Sequence, residues 1–186
     1  MLINNENLII HEDINSSLID FIELIKPTNI IIFTQDNIKP ITNQILDNIS
    51  EIYNVNILIL PNGERAKDFN SVVNSIKFLS ELNCDKEALL ISLGGGSVSD
   101  HTGFVASIFK RGINYVNIPT TLIGMIDASI GGKTALNIDH VKNQIGTFYH
   151  PTKIFIHLKF IDNMSEKLLR DGYGEIFKYS ILSDDN

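Results

Sequence analysis

A buried strand that runs directly into three glycines constrains the fold of this chain more than any other feature. Residues 88–93 read ALLISL, which predicts a buried β-strand, and Gly94, Gly95 and Gly96 follow with no spacer. Residues 98–110 are then predicted to be helical. Glycines let a backbone turn sharply and approach a ligand closely, while a helix start offers free N–H groups to a phosphate. Because the spacing is not G-x-G-x-x-G, a plain strand–helix turn remains the alternative to a phosphate site.

Strands and helices alternate along the whole chain. Apolar, β-branched runs predict further strands over residues 29–34, 55–60, 115–118 and 154–156. Apolar residues at helical spacing predict helices over residues 41–52, 69–82 and 165–180. Because strands separated by helices form βαβ units, the pattern predicts an α/β fold in which helices flank a parallel sheet. Such a sheet is typical of Rossmann-like dinucleotide-binding domains.

The composition argues against several classes of protein. A net charge of −7 over 186 residues is a poor match to nucleic-acid binding. The least charged long stretch, residues 112–132, contains Asp127 and Pro119, which argues against a membrane span. Cys84 is the only cysteine, so no internal disulfide is expected and a cytoplasmic location is predicted. The start, MLINNENLII, lacks the basic residues and the cleavage site of a signal peptide.

Charged and amide side chains interrupt an otherwise apolar segment over residues 111–149. Among them are Arg111, Asp127, Lys133, Lys142 and Asn143. Since burying charges without partners is very costly, these side chains are predicted to line a wet, ligand-filled cleft. The sequence GGKT within the segment is superficially similar to the end of a P-loop. The glycine that a P-loop requires four residues before Gly131 is Asp127 here, which excludes that match.

Two shorter segments carry weaker signals. The turn PNGERAK, residues 61–67, follows the second predicted strand, where Glu64 would accept hydrogen bonds from a ribose or amide and Lys67 would face a phosphate. A solvated turn explains that segment equally well. On the last predicted helix, Glu175 and Lys178 are three residues apart and share a face, which predicts an ordinary surface ion pair.

Taken together, these segments resemble the 3-dehydroquinate synthase family. The resemblance runs from about Asn29 to Leu182, and its most specific part carries GGGSVSD, IPTTL, IDASIGGKTALN and KNQIGTFY in the family's order and spacing. It implies an enzyme that converts a phosphorylated seven-carbon keto acid, 3-deoxy-D-arabino-heptulosonate 7-phosphate, to 3-dehydroquinate and phosphate in the shikimate pathway. It also implies NAD, used and restored within each turnover, and a divalent metal, zinc or cobalt.

The resemblance implies roles for particular residues. NAD would be held by Asn37, Glu64, Lys67, Gly95, Gly96, Ser97, Asp100, Thr120, Thr121, Lys133 and Lys142. Substrate binding and catalysis would use Asp127, Lys133, Lys142, Asn143, Lys178 and Arg111. Arg111 would reach the substrate phosphate of the neighbouring subunit in a homodimer, and Glu175 would be one of three metal ligands.

The chain also departs from the family pattern. Gln35, Asn163 and Leu168 stand where an Asp, a Thr and a Glu are usual, which puts part of the cofactor pocket in doubt. The family's two metal-binding histidines belong to a later helical domain, and none of the histidines here occupies a matching position. We therefore expect an NAD-binding domain over residues 1–163, and over residues 164–186 the first helix of a helical domain that is otherwise absent.

The sequence leaves three alternative functions open. The same fold serves sugar phosphate cyclases with other substrates and metal-dependent polyol dehydrogenases. Lys133, Lys142 and Asn143 favour a phosphorylated acid over a neutral polyol, because cations need an anion. A non-catalytic NAD-binding module is the third alternative, since the expected active site is incomplete in this chain.

Overall fold

The fold is organised around a six-stranded parallel sheet. The computed structural model describes residues 7–139 and 141–182, without the side chains of residues 39–42 and 44. The sheet strands are β1 (Leu8–His11), β2 (Ile30–Gln35), β3 (Val55–Leu60), β4 (Leu89–Gly94), β5 (Asn114–Pro119) and β8 (Lys153–His157). They lie side by side in the order β1-β8-β5-β4-β2-β3. A separate antiparallel hairpin consists of β6 (Lys133–Ile138) and β7 (Val141–Phe148).

Helices cover both faces of the sheet. They are α1 (Asn15–Ile25), α2 (Lys39–Ile52), α3 (Phe69–Glu81), α4 (Gly96–Ile108), α5 (Lys159–Asp162) and α6 (Glu166–Leu182). Successive β2 side chains point to opposite faces, so Ile30 and Ile32 join a core with α1 and α2, whereas Ile31 and Phe33 join a core with α3 and α4. Every residue of β2 and β4 is buried, as expected for central strands of a parallel sheet.

The predicted fold class is confirmed, and each predicted strand and helix is present within a few residues of its expected bounds. Strand β1, helix α1 and the β6–β7 hairpin were not predicted. The hairpin residues had been interpreted only as a polar cleft wall, because lysine and asparagine side chains break the apolar pattern of its strands. Residues 183–186 of the expected second domain lie outside the described residues. In the described part of the chain, no helix is both long and apolar enough to cross a membrane.

Two glycines allow the outer elements to pack closely. A Cβ atom at Gly103 of α4 would lie 2.7 Å from the Thr134 side chain of β6. A Cβ atom at Gly172 of α6 would overlap the side chain of Leu122. Small residues at these points therefore let the hairpin and the last helix contact the α/β core.

A buried histidine joins α3 to α4. The Ser75 hydroxyl donates to the backbone carbonyl of Ser71 (3.0 Å), so the 2.8 Å contact between Ser75 Oγ and His101 is a hydrogen bond donated by Nε2 of the ring. His101 has no exposed surface, and this burial lowers its pKa to about 4. The ring is therefore neutral when the protein is folded at neutral pH.

We expect His101 to make the fold sensitive to acid. Its pKa in the folded state lies below the unfolded value of 6.5, so the stability that it contributes is present above pH 6.5 and is lost as the pH falls towards 4. The loss should reach about 3 kcal/mol for this residue. We expect the free energy of unfolding, measured with urea at a series of pH values, to fall less steeply with decreasing pH in His101→Leu than in the wild type.

His150→Gln is the matched control, because the His150 ring is exposed. It should retain the wild-type pH dependence. Burial also lowers the pKa of His157. His157 should therefore contribute its own part of the decline in stability in both variants. If the free energy of unfolding of His101→Leu depended on pH as steeply as that of the wild type, the acid sensitivity assigned to His101 would be contradicted.

Candidate active site

The carboxyl ends of four neighbouring strands bring the predicted ligand-binding segments to one edge of the sheet. The 3₁₀ turns Asp36–Ile38 and Gly63–Lys67 follow β2 and β3, while the glycine turn and the Thr120–Thr121 pair follow β4 and β5. From β2, the chain moves outward to β3 and then to β4 on the other side of β2, so the topology reverses between β2 and β4. Open α/β sheets bind ligands beside such a reversal.

The glycine turn needs small residues for packing rather than for an unusual backbone. None of its three glycines has a positive φ, contrary to the expectation that conformational freedom was their role. A Cβ atom at Gly94 would lie 2.5 Å from Val98 Cγ2, and Cβ atoms at Gly95 and Gly96 would lie 3.2 Å from the Thr121 and Ala128 side chains. The turn therefore presses the start of α4 against the loop that follows β5.

The start of α4 is open to a ligand. Gly95 is its N-cap residue, and no side chain of the described residues caps the helix, so its first N–H groups are left for an anion. The backbone N–H of Thr120 donates to the Gly94 carbonyl (2.9 Å), which places Thr120 beside the turn. Its hydroxyl is buried and has no hydrogen-bond partner among the described residues. Uncapped N–H groups and an unpartnered hydroxyl suit a dinucleotide phosphate and ribose.

Lys67 ties three separate elements together at this edge. Only 4% of the residue is exposed, and its ammonium lies 2.6 Å from Asp100 Oδ2 on α4 and 2.6 Å from Asn143 Oδ1 on β7. Burial raises the pKa of Asp100, although the hydrogen bond from Lys67 opposes that shift. The predicted phosphate-facing lysine thus has an internal ion pair, and its position is fixed by the protein.

A cleft of about 260 Å³ collects several residues that the sequence had grouped together. It is lined by Asp100, Asp127, Ala128, Gly131, Lys133, Ala135 and Asn143. Asp127 lies in a π-helical turn, Gly124–Ala128, a distortion often found at functional sites. The predicted wet cleft is therefore present for Asp127, Lys133 and Asn143. Lys142 lies at the rim, 71% exposed and 3.8 Å from Glu64, which makes a weak pair.

Helix α6 carries its charged residues to the same region. The predicted ion pair between Glu175 and Lys178 is present, and this hydrogen bond raises the pKa of Lys178. The Tyr179 hydroxyl donates to Asp127 Oδ1 at 2.9 Å. Sequence reasoning did not select Tyr179, although its place directly after Lys178 in the motif was a usable signal.

Arg111 does not join the cleft of its own chain. It ends the turn Phe109–Arg111 just before β5 begins, whereas Thr120 follows the end of β5, so the two lie towards opposite edges of the sheet. Arg111 is exposed, with a φ of 66°, and Lys110 beside it has a φ of 51°. Non-glycine residues in this conformation are uncommon and often functional.

The positions that depart from the family pattern have structural partners or lie on the surface. Gln35 is buried at the end of β2, and its Nε2 donates to the carbonyls of Pro61 (2.7 Å) and Gly63 (3.2 Å), so it braces the turn that carries Glu64. Asn163 directly follows α5, and Leu168 is 37% exposed on α6. Asn37, which matches the family pattern, is exposed after β2.

The described residues do not complete a metal site. Among residues 7–139 and 141–182, no three His, Cys, Asp or Glu side chains come together as metal binding would require. Glu175 is instead engaged by Lys178.

Comparison with known proteins decides the family. A family model described as 3-dehydroquinate synthase N-terminal matches residues 57–171, more than half of the chain. The chain belongs to the 3-dehydroquinate synthase family. The 3-dehydroquinate synthase of Sulfurisphaera tokodaii is 39% identical over 99% of this chain and 52% of its own length. The chain thus spans about half the length of such relatives.

Solved structures of sugar phosphate cyclases share the fold. A 2-deoxy-scyllo-inosose synthase complexed with carbaglucose-6-phosphate, NAD+ and Co2+ has a TM-score of 0.85 at 22% identity, over 92% of this chain and 47% of that one. A 2-epi-5-epi-valiolone synthase from Streptomyces hygroscopicus with NAD+ and Zn2+ bound has a TM-score of 0.79 at 27% identity, over 91% of this chain and 47% of that one.

Proposed function

We propose that this 3-dehydroquinate synthase family member binds NAD at the glycine turn and, with a second domain, converts 3-deoxy-D-arabino-heptulosonate 7-phosphate to 3-dehydroquinate and phosphate. One observation carries the proposal: the uncapped start of α4 opens on the same sheet edge as the cleft that holds Asp127, Lys133 and Asn143. A dinucleotide and a small anionic substrate would therefore lie side by side. The reaction belongs to the shikimate pathway of aromatic amino acid biosynthesis.

The residues present fit NAD. The proposed cofactor residues all lie at the carboxyl edge of the sheet or on the adjoining hairpin, and the unpartnered Thr120 hydroxyl supplies a further polar contact. Bound at this edge by these residues, NAD would supply a reversible acceptor for a hydride from the substrate alcohol. Lys133, Lys142 and Asn143 would bind the anionic groups of the substrate, and Asp127 would be held in place by Tyr179.

Glu175 would be one ligand of a zinc or cobalt site that a further domain completes. Helix α6 also exposes an apolar face, which comprises Tyr173 (59% exposed), Ile176 (41%), Phe177 (66%) and Ile181 (66%). Such a continuous stripe normally packs against another element. Because the chain spans about half the length of its relatives, we assign this face to the helical domain that would supply the remaining ligands.

The state of Cys84 bears on the cellular compartment that we propose for the protein. Cys84 is free and buried, and burial raises the pKa of its thiol, which makes it unreactive. A free thiol suits a reducing compartment, so we propose the cytoplasm.

The NAD site is tested by adding bulk to the glycine turn. Gly95→Val would force a side chain against Thr121, since even a Cβ atom lies 3.2 Å from Thr121 Cγ2, and it would crowd the first N–H groups of α4. We expect NAD affinity, measured by calorimetry, to fall at least about tenfold while the circular dichroism spectrum stays native.

Gly131→Ala is the control at the same cleft, because a Cβ atom there meets only Lys133 Cγ at 3.9 Å. It should leave NAD binding close to wild type. Equal NAD affinity in a folded Gly95→Val variant would refute the site.

Turnover should require the second domain. The chain supplied with NAD and zinc should release no phosphate from the seven-carbon substrate, because one carboxylate cannot hold the metal tightly and the cleft cations face water. Joined to the carboxyl-terminal half of the Sulfurisphaera tokodaii relative, it should become active. In that joined protein, Glu175→Gln should remove both the bound zinc and the turnover.

Glu166→Gln provides the matched control for that carboxylate, since Glu166 forms only an exposed ion pair with Arg170 on the same helix. Zinc content and turnover should survive this change. Robust phosphate release by the 186-residue chain alone would show that the incomplete-site interpretation is wrong.

The exposed position of Arg111, away from its own cleft, supports a homodimer in which it serves the partner's site. In the joined protein, Arg111→Ala and Lys133→Ala homodimers should each be inactive. Mixed subunits should regain up to about a quarter of wild-type activity, because half of the dimers carry one intact site. No recovery despite exchange of subunits, or a fully active monomer by light scattering, would remove this role from Arg111.

A further inference from the structure

Asn137 lies where the hairpin meets the turn after β3, and its backbone is fixed there. It is the next-to-last residue of β6, at an irregularity in the β6–β7 register between Leu136 and Ile138. Its backbone also forms an isolated parallel bridge with Asp68, the residue after the turn Gly63–Lys67. The side chain of Asn137 is therefore presented at a defined point between two ligand-binding segments.

The two ends of the Asn137 amide bond to different segments. Oδ1 accepts a hydrogen bond from the backbone N–H of Asn143 at 3.1 Å. Nδ2 donates to Glu64 Oε2, also at 3.1 Å. A backbone donor on one side and a carboxylate on the other fix the orientation of the amide, since the reverse orientation would satisfy neither partner.

The bond to Asn143 has a structural consequence. Asn143 has a φ of 55°, a left-handed backbone conformation that most residues avoid and that asparagine tolerates better than most. The hydrogen bond from its N–H to Asn137 stabilises that conformation. In it, Asn143 Oδ1 lies 2.6 Å from the ammonium of Lys67, whose other partner is Asp100 at 2.6 Å.

We infer that Asn137 is a positioning residue that couples the cofactor side of the site to the substrate side. Its Nδ2 holds Glu64, and its Oδ1 sets the backbone of Asn143 and thereby the contact between Asn143 Oδ1 and the Lys67 ammonium. The inference rests on the proposed function, because that function identifies one side as cofactor-binding and the other as substrate-binding. The hydrogen bonds of Asn137 are present without any ligand.

Two substitutions separate the two halves of the amide. Asn137→Asp retains an oxygen for the Asn143 N–H but loses the donor to Glu64 and places a second carboxylate beside it. Asn137→Ala removes both bonds. Asn74→Ala, at an exposed position of α3, is the matched control.

Hydrogen exchange of the Asn143 amide, followed by NMR without ligand, reports the first bond. It should quicken about tenfold in Asn137→Ala and stay near the wild-type rate in Asn137→Asp and Asn74→Ala. Calorimetry with NAD reports the second bond. Affinity should fall about three- to tenfold in both Asn137 variants, the change expected from one lost hydrogen bond to a charged group, and stay unchanged in Asn74→Ala. A merely structural role would not separate the two readouts.

Either of two results overturns the inference: an Asn143 amide that exchanges at the wild-type rate in Asn137→Ala, or a folded Asn137→Asp chain with wild-type NAD affinity. Failure of the wild-type chain to bind NAD would count against the proposed function instead. The exchange comparison would then decide the role of Asn137 by itself. If Asn137→Ala does not fold by circular dichroism, the NAD titration of Asn137→Asp decides it.

Discussion

The site depends on the neutralisation of one buried ammonium. Lys67 is almost fully enclosed, and an unpaired charge in such a place would be very unfavourable. Its two partners come from α4 and β7, so satisfying one charge fixes the relative positions of the turn after β3, the dinucleotide-facing helix and the hairpin. Buried pairs of this kind add little net stability, but they specify a unique arrangement when every member is paired. Here that arrangement is the wall of the cleft.

The glycine turn imposes a second constraint, and it acts through size. A Cβ atom at Gly94 would collide with Val98, and Cβ atoms at Gly95 and Gly96 would make tight contacts with Thr121 and Ala128. The close packing brings the uncapped helix start against the loop after β5, where the Thr120 hydroxyl lacks a partner. The same contacts that complete the core thus leave the first N–H groups of α4 without a side-chain cap, and the nearby Thr120 hydroxyl without a hydrogen-bond partner, among the described residues. Packing and binding are served by one local geometry.

The proposed chemistry depends on parts that the described residues do not bring together. The cleft and the open start of α4 lie at one sheet edge, whereas no group of metal-binding side chains forms around Glu175 among the described residues and Arg111 lies towards the opposite edge. Helix α6 connects these parts, because Tyr179 anchors it to Asp127 while its apolar face remains exposed.

The sequence by itself determined the alternation of the predicted strands and helices, the parallel sheet and the glycine turn, because periods of two and 3.6 residues and a strand–glycine–helix junction are local signals. It also predicted one cleft for Arg111, Asp127, Lys133, Lys142 and Asn143, since charged and amide groups in an apolar segment must reach water. Asp127, Lys133 and Asn143 line that cleft in the structure. Only the tertiary structure decided that Lys67 pairs with Asp100 and Asn143, which are 33 and 76 residues away along the chain. It alone also revealed the hairpin, the tether from Tyr179 and the amide of Asn137. Such contacts join residues that are distant in sequence, and they arise from packing whole elements together, which leaves no periodic trace in the chain.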